Sequence, residues 1–258
     1  MKFLIQKINK ELRHDFTFAL VESIRYHNWL TNSVEMKHKF IDSIDKNNPN
    51  IWHFKNFHHS YVPVGSVEFV LSFMTHFGIE KPKPMNVPNE LIQHAGREVI
   101  NGNEMTVEFL FANPKEYIIK SNDKIKGFSQ CIDTKDTSIT VPKGNYQISE
   151  VIHIESEWRC FVYKGKLLGI QYYTGDFTVF PDVSKIYQMI DAFKSAPVAY
   201  TLDVGVNYIG RSSVLKNTFV IECHDFFSCG LYGFSDYTKY PHMLQRWFNE
   251  YKLKSLLS

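Results

Sequence analysis

The sequence predicts an α+β protein divided by a break near one third of its length. Beyond residue 104, short β-rich runs follow one another with only two well-separated helical patterns among them, unlike the regular alternation of a βαβ chain. Pro82, Pro84 and Pro88 interrupt the chain between two apolar stretches. The composition, 44% hydrophobic and 22% charged over 258 residues, is that of a globular chain with a sizeable core and excludes wholesale disorder.

Residues 2–8 read as a short strand, and residues 15–30 carry a helical pattern of mixed periodicity. Residues 31–60 are polar and rich in Lys, Asn and His. SYVPVGSVEFVLSFMTHFG then reads as a strand, a turn at Val64–Gly65, and a helix with Ser66 as N-cap and Gly78 as its stop. After the prolines, NELIQHAGREVI starts again as a helix. The β-rich runs are MTVEFLFA, EYIIKS, YQISEVIHI, EWRCFVYKGKLLGIQYYTGDF, YTLDVGVNY and TFVIECHDF. Within them, apolar alternation around Lys164–Gly165–Lys166 predicts a hairpin. Ile186, Met189, Ile190 and Phe193 mark the buried face of a helix over about 182–194, stopped by Pro197. A last helix starts at Pro241 and runs through Leu244, Trp247, Phe248 and Tyr251.

Lys plus Arg is 29 and Asp plus Glu is 27, a formal net charge of +2, which gives no support for a dedicated nucleic-acid binder. The cysteines Cys131, Cys160, Cys223 and Cys229 form no C-x-x-C pair, as expected of reduced thiols in a cytoplasmic protein. The N-terminal apolar stretch is too short for a signal peptide, and residues 61–78 contain Pro63, Glu68 and His76, so they do not read as a membrane span. Eight of the eleven histidines precede residue 95, without the i, i+4 spacing that puts two metal ligands on one helix face.

Four features are candidates for chemistry. Lys120 ends the apolar run EYIIK, and Lys126 follows in a polar loop. Such a pair either reaches solvent or sets two ammonium groups on a polyphosphate. Glu157 and Arg159 share one face of a strand; they either pair as a surface salt bridge or are aimed at a ligand, with Glu on hydroxyls and Arg on an anion. Asp203 in YTLDVGV and Glu222 in FVIECHD are acids in apolar β-runs, where burial without a partner is costly. A turn-rich segment separates them, so they are expected as neighbours across a hairpin. There they form either edge-strand acids facing water or a Mg²⁺ site of hard oxygen ligands. His224 lies two residues beyond Glu222, on its strand face.

In order along the chain, Lys120, the loop to Lys126–Gly127–Phe128, Glu150, Glu157, Asp203 and Glu222–Cys223–His224 resemble the pattern of an ATP-grasp protein. KIKGFSQ, SEWRCFV, TLDVGV, VIECHDFFSCGLYG and, more loosely, VPVGSVEFV are similar to the small phage and bacterial ATP-grasp domain family first catalogued as a domain of unknown function. That resemblance implies an ATP-grasp fold of two α+β lobes clasping ATP, preceded by an N-terminal α/β domain. Residues 1–95 are the expected N-terminal domain and 96–258 the ATP-grasp domain, with 104–150 its first lobe and 151–258 its second. It further implies that Lys120 and Lys126 contact phosphates, that Glu150, Val151 and Ile152 supply the adenine edge, and that Glu157 bonds the ribose. Asp203 and Glu222 would hold Mg²⁺, with His224 beside them.

Two departures stand out. His224 occupies the position of the family's Asn, a poorer donor for hard Mg²⁺. Thr201 stands where many ATP-grasp ligases carry Arg, which leaves Arg159, and after it Arg211, to stabilise the transferring group. The implied activity is an ATP-dependent ligase that activates a carboxylate, small molecule or peptide, as an acyl phosphate for an amine or thiol acceptor. The alternatives are a kinase releasing a phosphorylated product and a non-catalytic nucleotide-binding protein. Tyr232, in the SCGLYGF loop, either touches the acceptor or belongs to a glycine-rich turn that packs aromatics.

Overall fold

The computed structural model describes residues 1–44, 50–110, 115–133, 135, 141–210 and 215–257. They form two compact units: one of residues 1–82, 197–199 and 226–258, the other of 83–196 and 200–225. The first division falls within the proline-rich stretch, ahead of the expected boundary at 95, and the C-terminal segment belongs with the N-terminal unit.

In the first unit, β1 (Lys2–Gln6) is followed by α1 (Asp15–Leu30), β2 (Lys37–Ile41), β3 (Val62–Val64) and α2 (Val67–His76). The sheet order is β2-β1-β3 with parallel pairing, so this unit is built by crossovers. β2 was hidden in the polar 31–60 stretch because its pattern, KHKFI, is mostly exposed. α1 buries Phe16, Ala19, Leu20, Val21 and Ile24, an i, i+3, i+4 stripe. Ser66 caps α2, its Oγ accepting from the Phe69 N–H at 3.2 Å. Gly78, at φ +64°, lets the chain leave that helix in the left-handed conformation.

The second unit holds two four-stranded sheets. Asn89–His94 is a 3₁₀ turn, and the chain then enters β4 (Val99–Asn103) rather than continuing as the helix expected over NELIQHAGREVI. α3 (Glu104–Leu110) replaces the expected strand at MTVEFLFA. The reason is local: Asn103 Oδ1 accepts from the N–H groups of Met105 and Thr106 at 3.1 and 3.2 Å, which caps a helix and buries Val107 on one side. β5 (Glu116–Ser121), β6 (Ser129–Asp133) and β7 (Asn145–Glu150) complete the first sheet, in the antiparallel order β4-β7-β5-β6. One face of it packs Tyr117, Ile119, Ile132, Tyr146 and Ile148 with Val107.

An extended linker over 151–155 leads to β8 (Ser156–Tyr163), β9 (Lys166–Gly175), α4 (Val183–Ala192), β10 (Ala199–Tyr208) and β11 (Lys216–Asp225). The second sheet has the order β11-β10-β8-β9. Lys164 and Gly165, at φ +52° and +68°, form the two-residue turn of the predicted hairpin. Ile186, Met189, Ile190 and Phe193 join Trp158, Cys160, Leu202, Val204, Val220 and Cys223 in one core. α5 (Tyr240–Leu257) returns to the first unit, where Trp247 stacks on Phe227 at 4.7 Å and Phe248 meets Phe73. Among the described residues, no helix is long and apolar enough to cross a membrane.

Candidate active site

Strand pairing brings the acids together. Asp203 on β10 lies directly opposite Glu222 on β11, and Thr201 lies opposite His224. The register shifts just beyond Asp203, where Val204 pairs with Val220, so Ile221 is an extra residue in the ladder. The bulge changes the phase of alternation. Val220 and Cys223 both reach the core, while Glu222 and His224 turn to the opposite face beside Asp203. One ligand atom from each of Asp203, Glu222 and His224 lies within 4.8 Å of the others.

Cations close around these acids. Arg159, from β8, forks onto Asp203: Nε donates to Oδ1 at 2.8 Å and an Nη to Oδ2 at 2.6 Å. Both side chains are over nine-tenths buried, with exposures of 9% and 8%. The Tyr173 ring lies under the guanidinium, 5.7 Å from its centroid. Lys120, at the end of β5 in the first sheet, donates to Glu222 Oε2 at 2.7 Å. His224 Nε2 stands 3.4 Å from Glu222 Oε1 and 3.7 Å from Asp203 Oδ2.

Burial works to raise the Glu222 carboxyl, but the bond and charge of His224 and the Lys120 ammonium outweigh it and hold the group well below the usual range. Burial alone would lower His224; the bond to Glu222 and the charges of Glu222 and Asp203 raise it instead. Glu157 is raised, first by burial and then by the charges of Asp203 and Glu222, with Lys120 and Arg97 opposing.

The remaining candidates lie around this cluster. Lys126 is exposed on the β5–β6 turn at φ +52°. The next residue, Gly127, comes so near the chain that an added Cβ would meet the Lys124 carbonyl at 2.7 Å. Glu150 pairs with Lys115 at 3.2 Å, and its N–H donates to the Glu98 carbonyl. The Val151 N–H donates to the Glu116 carbonyl, so that donor is committed within the protein, and Ile152 follows in the linker between the sheets. Thr201, in place of an Arg, is fully buried, and its Oγ1 has no hydrogen-bond partner among the described residues. Tyr232 lies in the first unit on a turn at φ +48°. Arg211 lies outside the described residues.

Two further residues, Arg97 and Asn86, support the site without belonging to any of its sequence motifs. The Arg97 guanidinium donates to the carbonyls of Ala95, Val220 and Ile221 at 3.0, 2.8 and 3.1 Å, and so holds the bulge itself. Asn86, at φ +46°, accepts from the Cys223 N–H at 2.6 Å, and its amide donates to the Ser121 carbonyl and Asn122 Oδ1. Both fasten the outer edge of β11 on either side of Glu222. In the sequence, Arg97 is one of only six arginines and Asn86 stands between prolines, and neither fact names a partner.

Compared with known proteins, residues 95–240 match the family described as ATP-grasp domain, R2K clade family 2. No curated protein matches the chain in sequence. Among solved structures, the chain is similar to N5-carboxyaminoimidazole synthetase from Staphylococcus aureus, at a TM-score of 0.53 and 10% identity, over 95% of this chain and 78% of that one. It is also similar to D-alanine–D-alanine ligase from Bacillus anthracis complexed with ATP, at a TM-score of 0.50 and 11% identity, over 98% and 99% of the two chains. These likenesses show the ATP-grasp fold.

Proposed function

The chain belongs to the ATP-grasp domain family, R2K clade family 2, and from that premise we propose that it is an ATP-dependent ligase that activates a carboxylate as an acyl phosphate for attack by an amine or thiol. The observation that carries this reading is the 2.7 Å contact of Lys120, from one sheet, with Glu222, from the other, beside Asp203 and its buried Arg159. Fixed cations and carboxylates from two sheets that converge on one point are what phosphoryl transfer needs, because positioning and charge neutralisation do most of its work.

The donor set fits a divalent cation: two carboxylates and an imidazole with converging ligand atoms, on strands where the buried Thr201 hydroxyl, without a partner among the described residues, suits a metal-bound water. Asp203, Glu222 and His224 would hold the metal, which would supply positive charge to neutralise the polyphosphate. Lys120 would move from Glu222 to a phosphate, with Lys126 reaching from the β5–β6 turn. Glu157, half-buried on β8, would accept from ribose hydroxyls, and the linker at Glu150, Val151 and Ile152 would border the adenine. Arg159 would stabilise the charge that develops on the transferring phosphoryl group, which departs from ATP as the carboxylate oxygen attacks. The acceptor then displaces inorganic phosphate.

The test is ATP turnover with Mg²⁺ across a panel of carboxylates, small molecules and peptides, paired with amines and thiols. A ligase yields ADP, inorganic phosphate and a condensed product. A product that retains the phosphoryl group makes the protein a kinase and contradicts the proposal.

A further inference from the structure

We propose that the Asp203–Glu222–His224 site selects a first-row divalent transition ion, Mn²⁺ in the first instance, over Mg²⁺; this rests on the nucleotide-site reading above. Three observations support it. The third ligand position is filled by His224, whose Nε2 lies 3.4 Å from Glu222 Oε1 and 3.7 Å from Asp203 Oδ2, so its nitrogen points to where a metal bound by both carboxylates would sit. Imidazole nitrogen binds first-row transition ions better than Mg²⁺, which prefers oxygen and sheds water reluctantly. The other donors on offer are carboxylate and phosphate oxygens. An oxygen-rich shell with one nitrogen disfavours the small tetrahedral N/S geometry of zinc and matches the octahedral shell of Mn²⁺. Finally, Thr201, paired directly with His224, holds a buried hydroxyl with no partner among the described residues. A metal-bound water would satisfy it, which fits an octahedral ion with few protein ligands rather than a closed tetrahedral shell and leaves the choice between Mn²⁺ and Mg²⁺ to His224.

The charge balance agrees. Arg159 and Lys120 surround the two carboxylates and carry positive charge of the kind that a bound metal would bring. Lys120 and Arg159 can turn to phosphate when a cation arrives, whereas the His224 imidazole nitrogen serves as a ligand.

The experiment titrates the full chain with Mn²⁺ in the presence of AMP-PCP, reading free Mn²⁺ by its EPR signal, with Mg²⁺ as competitor. Pulsed EPR on ¹⁵N-histidine-labelled protein reads direct ligation. The expected result is a ¹⁵N coupling to Mn²⁺ and a preference for Mn²⁺ over Mg²⁺ about tenfold beyond that of AMP-PCP alone, on the scale at which a metal's surroundings change affinity. His224→Asn, checked for folding by circular dichroism, should reduce the preference to that of the free nucleotide. A bound Mn²⁺–AMP-PCP complex without the ¹⁵N coupling, or with the free nucleotide's preference, overturns the inference and leaves the nucleotide site standing. Failure of AMP-PCP to bind with either metal overturns both. The spectrum of the labelled wild-type protein decides ligation even if His224→Asn does not fold.

Discussion

Arg159 and Asp203 form a bidentate pair with side-chain exposures of only 9% and 8%, so each is the other's main compensation for burial. Removing one partner strips the other, still buried, of its bidentate ion pair. Asp203→Ala should therefore lower unfolding stability by about 3–5 kcal/mol in denaturant titrations. Arg159→Met combined with Asp203→Leu should recover part of that loss while nucleotide binding stays absent. Two nearby carboxyls respond to pH with opposite sign. Glu157 is raised above its ordinary 4.5, so it favours the fold below that value, and its ionisation costs stability as pH rises through the folded value. Glu157→Gln should be more stable than wild type at neutral pH, with the gain vanishing on acidification, and should bind ATP more weakly. Glu222 is held below 4.5, so its contribution is present above that pH and is lost as pH falls further. Glu222→Gln should flatten the acid limb of a stability–pH curve; an unchanged limb would contradict the pairing with Lys120 and His224.

At the scale of elements, β11 is the edge strand of its sheet, and its outward backbone groups need partners. Arg97 covers the carbonyls of Val220 and Ile221, and Asn86 covers the N–H of Cys223. Arg97→Met should cost about 1.5–3 kcal/mol, the worth of hydrogen bonds to a charged group, and should weaken nucleotide binding although the guanidinium is spent on backbone. Asn86→Gly keeps the left-handed backbone at φ +46°, whereas Asn86→Ala strains it; the alanine variant should be less stable by about 1–2 kcal/mol in thermal or urea unfolding. These elements also separate what was legible in the sequence from what was not. The hairpin at Lys164–Gly165, the buried face of α4, the Ser66 cap and the pairing of Asp203 with Glu222 are written in local patterns of turn residues and alternation. The bulge at Ile221, the reach of Arg97 and the clasp of Asn86 depend on partners 123 residues away or more in the case of Arg97, and no local pattern encodes that distance. EMTVEFL alternates like a strand, and the Asn103 cap makes it the helix α3 instead.

For the whole molecule, the 15% aromatic content finds its main explanation in the first unit. Trp52, Phe54, Phe69 and Phe73 pack ring against ring there, and α5 adds Trp247 and Phe248, exposed by 1% and 0%. Trp247→Ala should lower stability by about 3–5 kcal/mol. Its effect on ATP binding should be no larger than its effect on the folded fraction, because every residue of the proposed nucleotide site lies in the other unit. The near-neutral net charge of +2 also has a local counterpart, since Lys120, Arg159 and Arg97 balance Glu157, Asp203 and Glu222 in one cluster. That cluster is the centre of the functional reading. The most direct measurement is calorimetric binding of ATP with a divalent metal to the wild-type chain and to folded Lys120→Ala, Asp203→Asn and Glu222→Gln. The predicted result is metal-dependent binding by the wild type and its loss or severe weakening in all three variants; undiminished binding in the three would contradict the site.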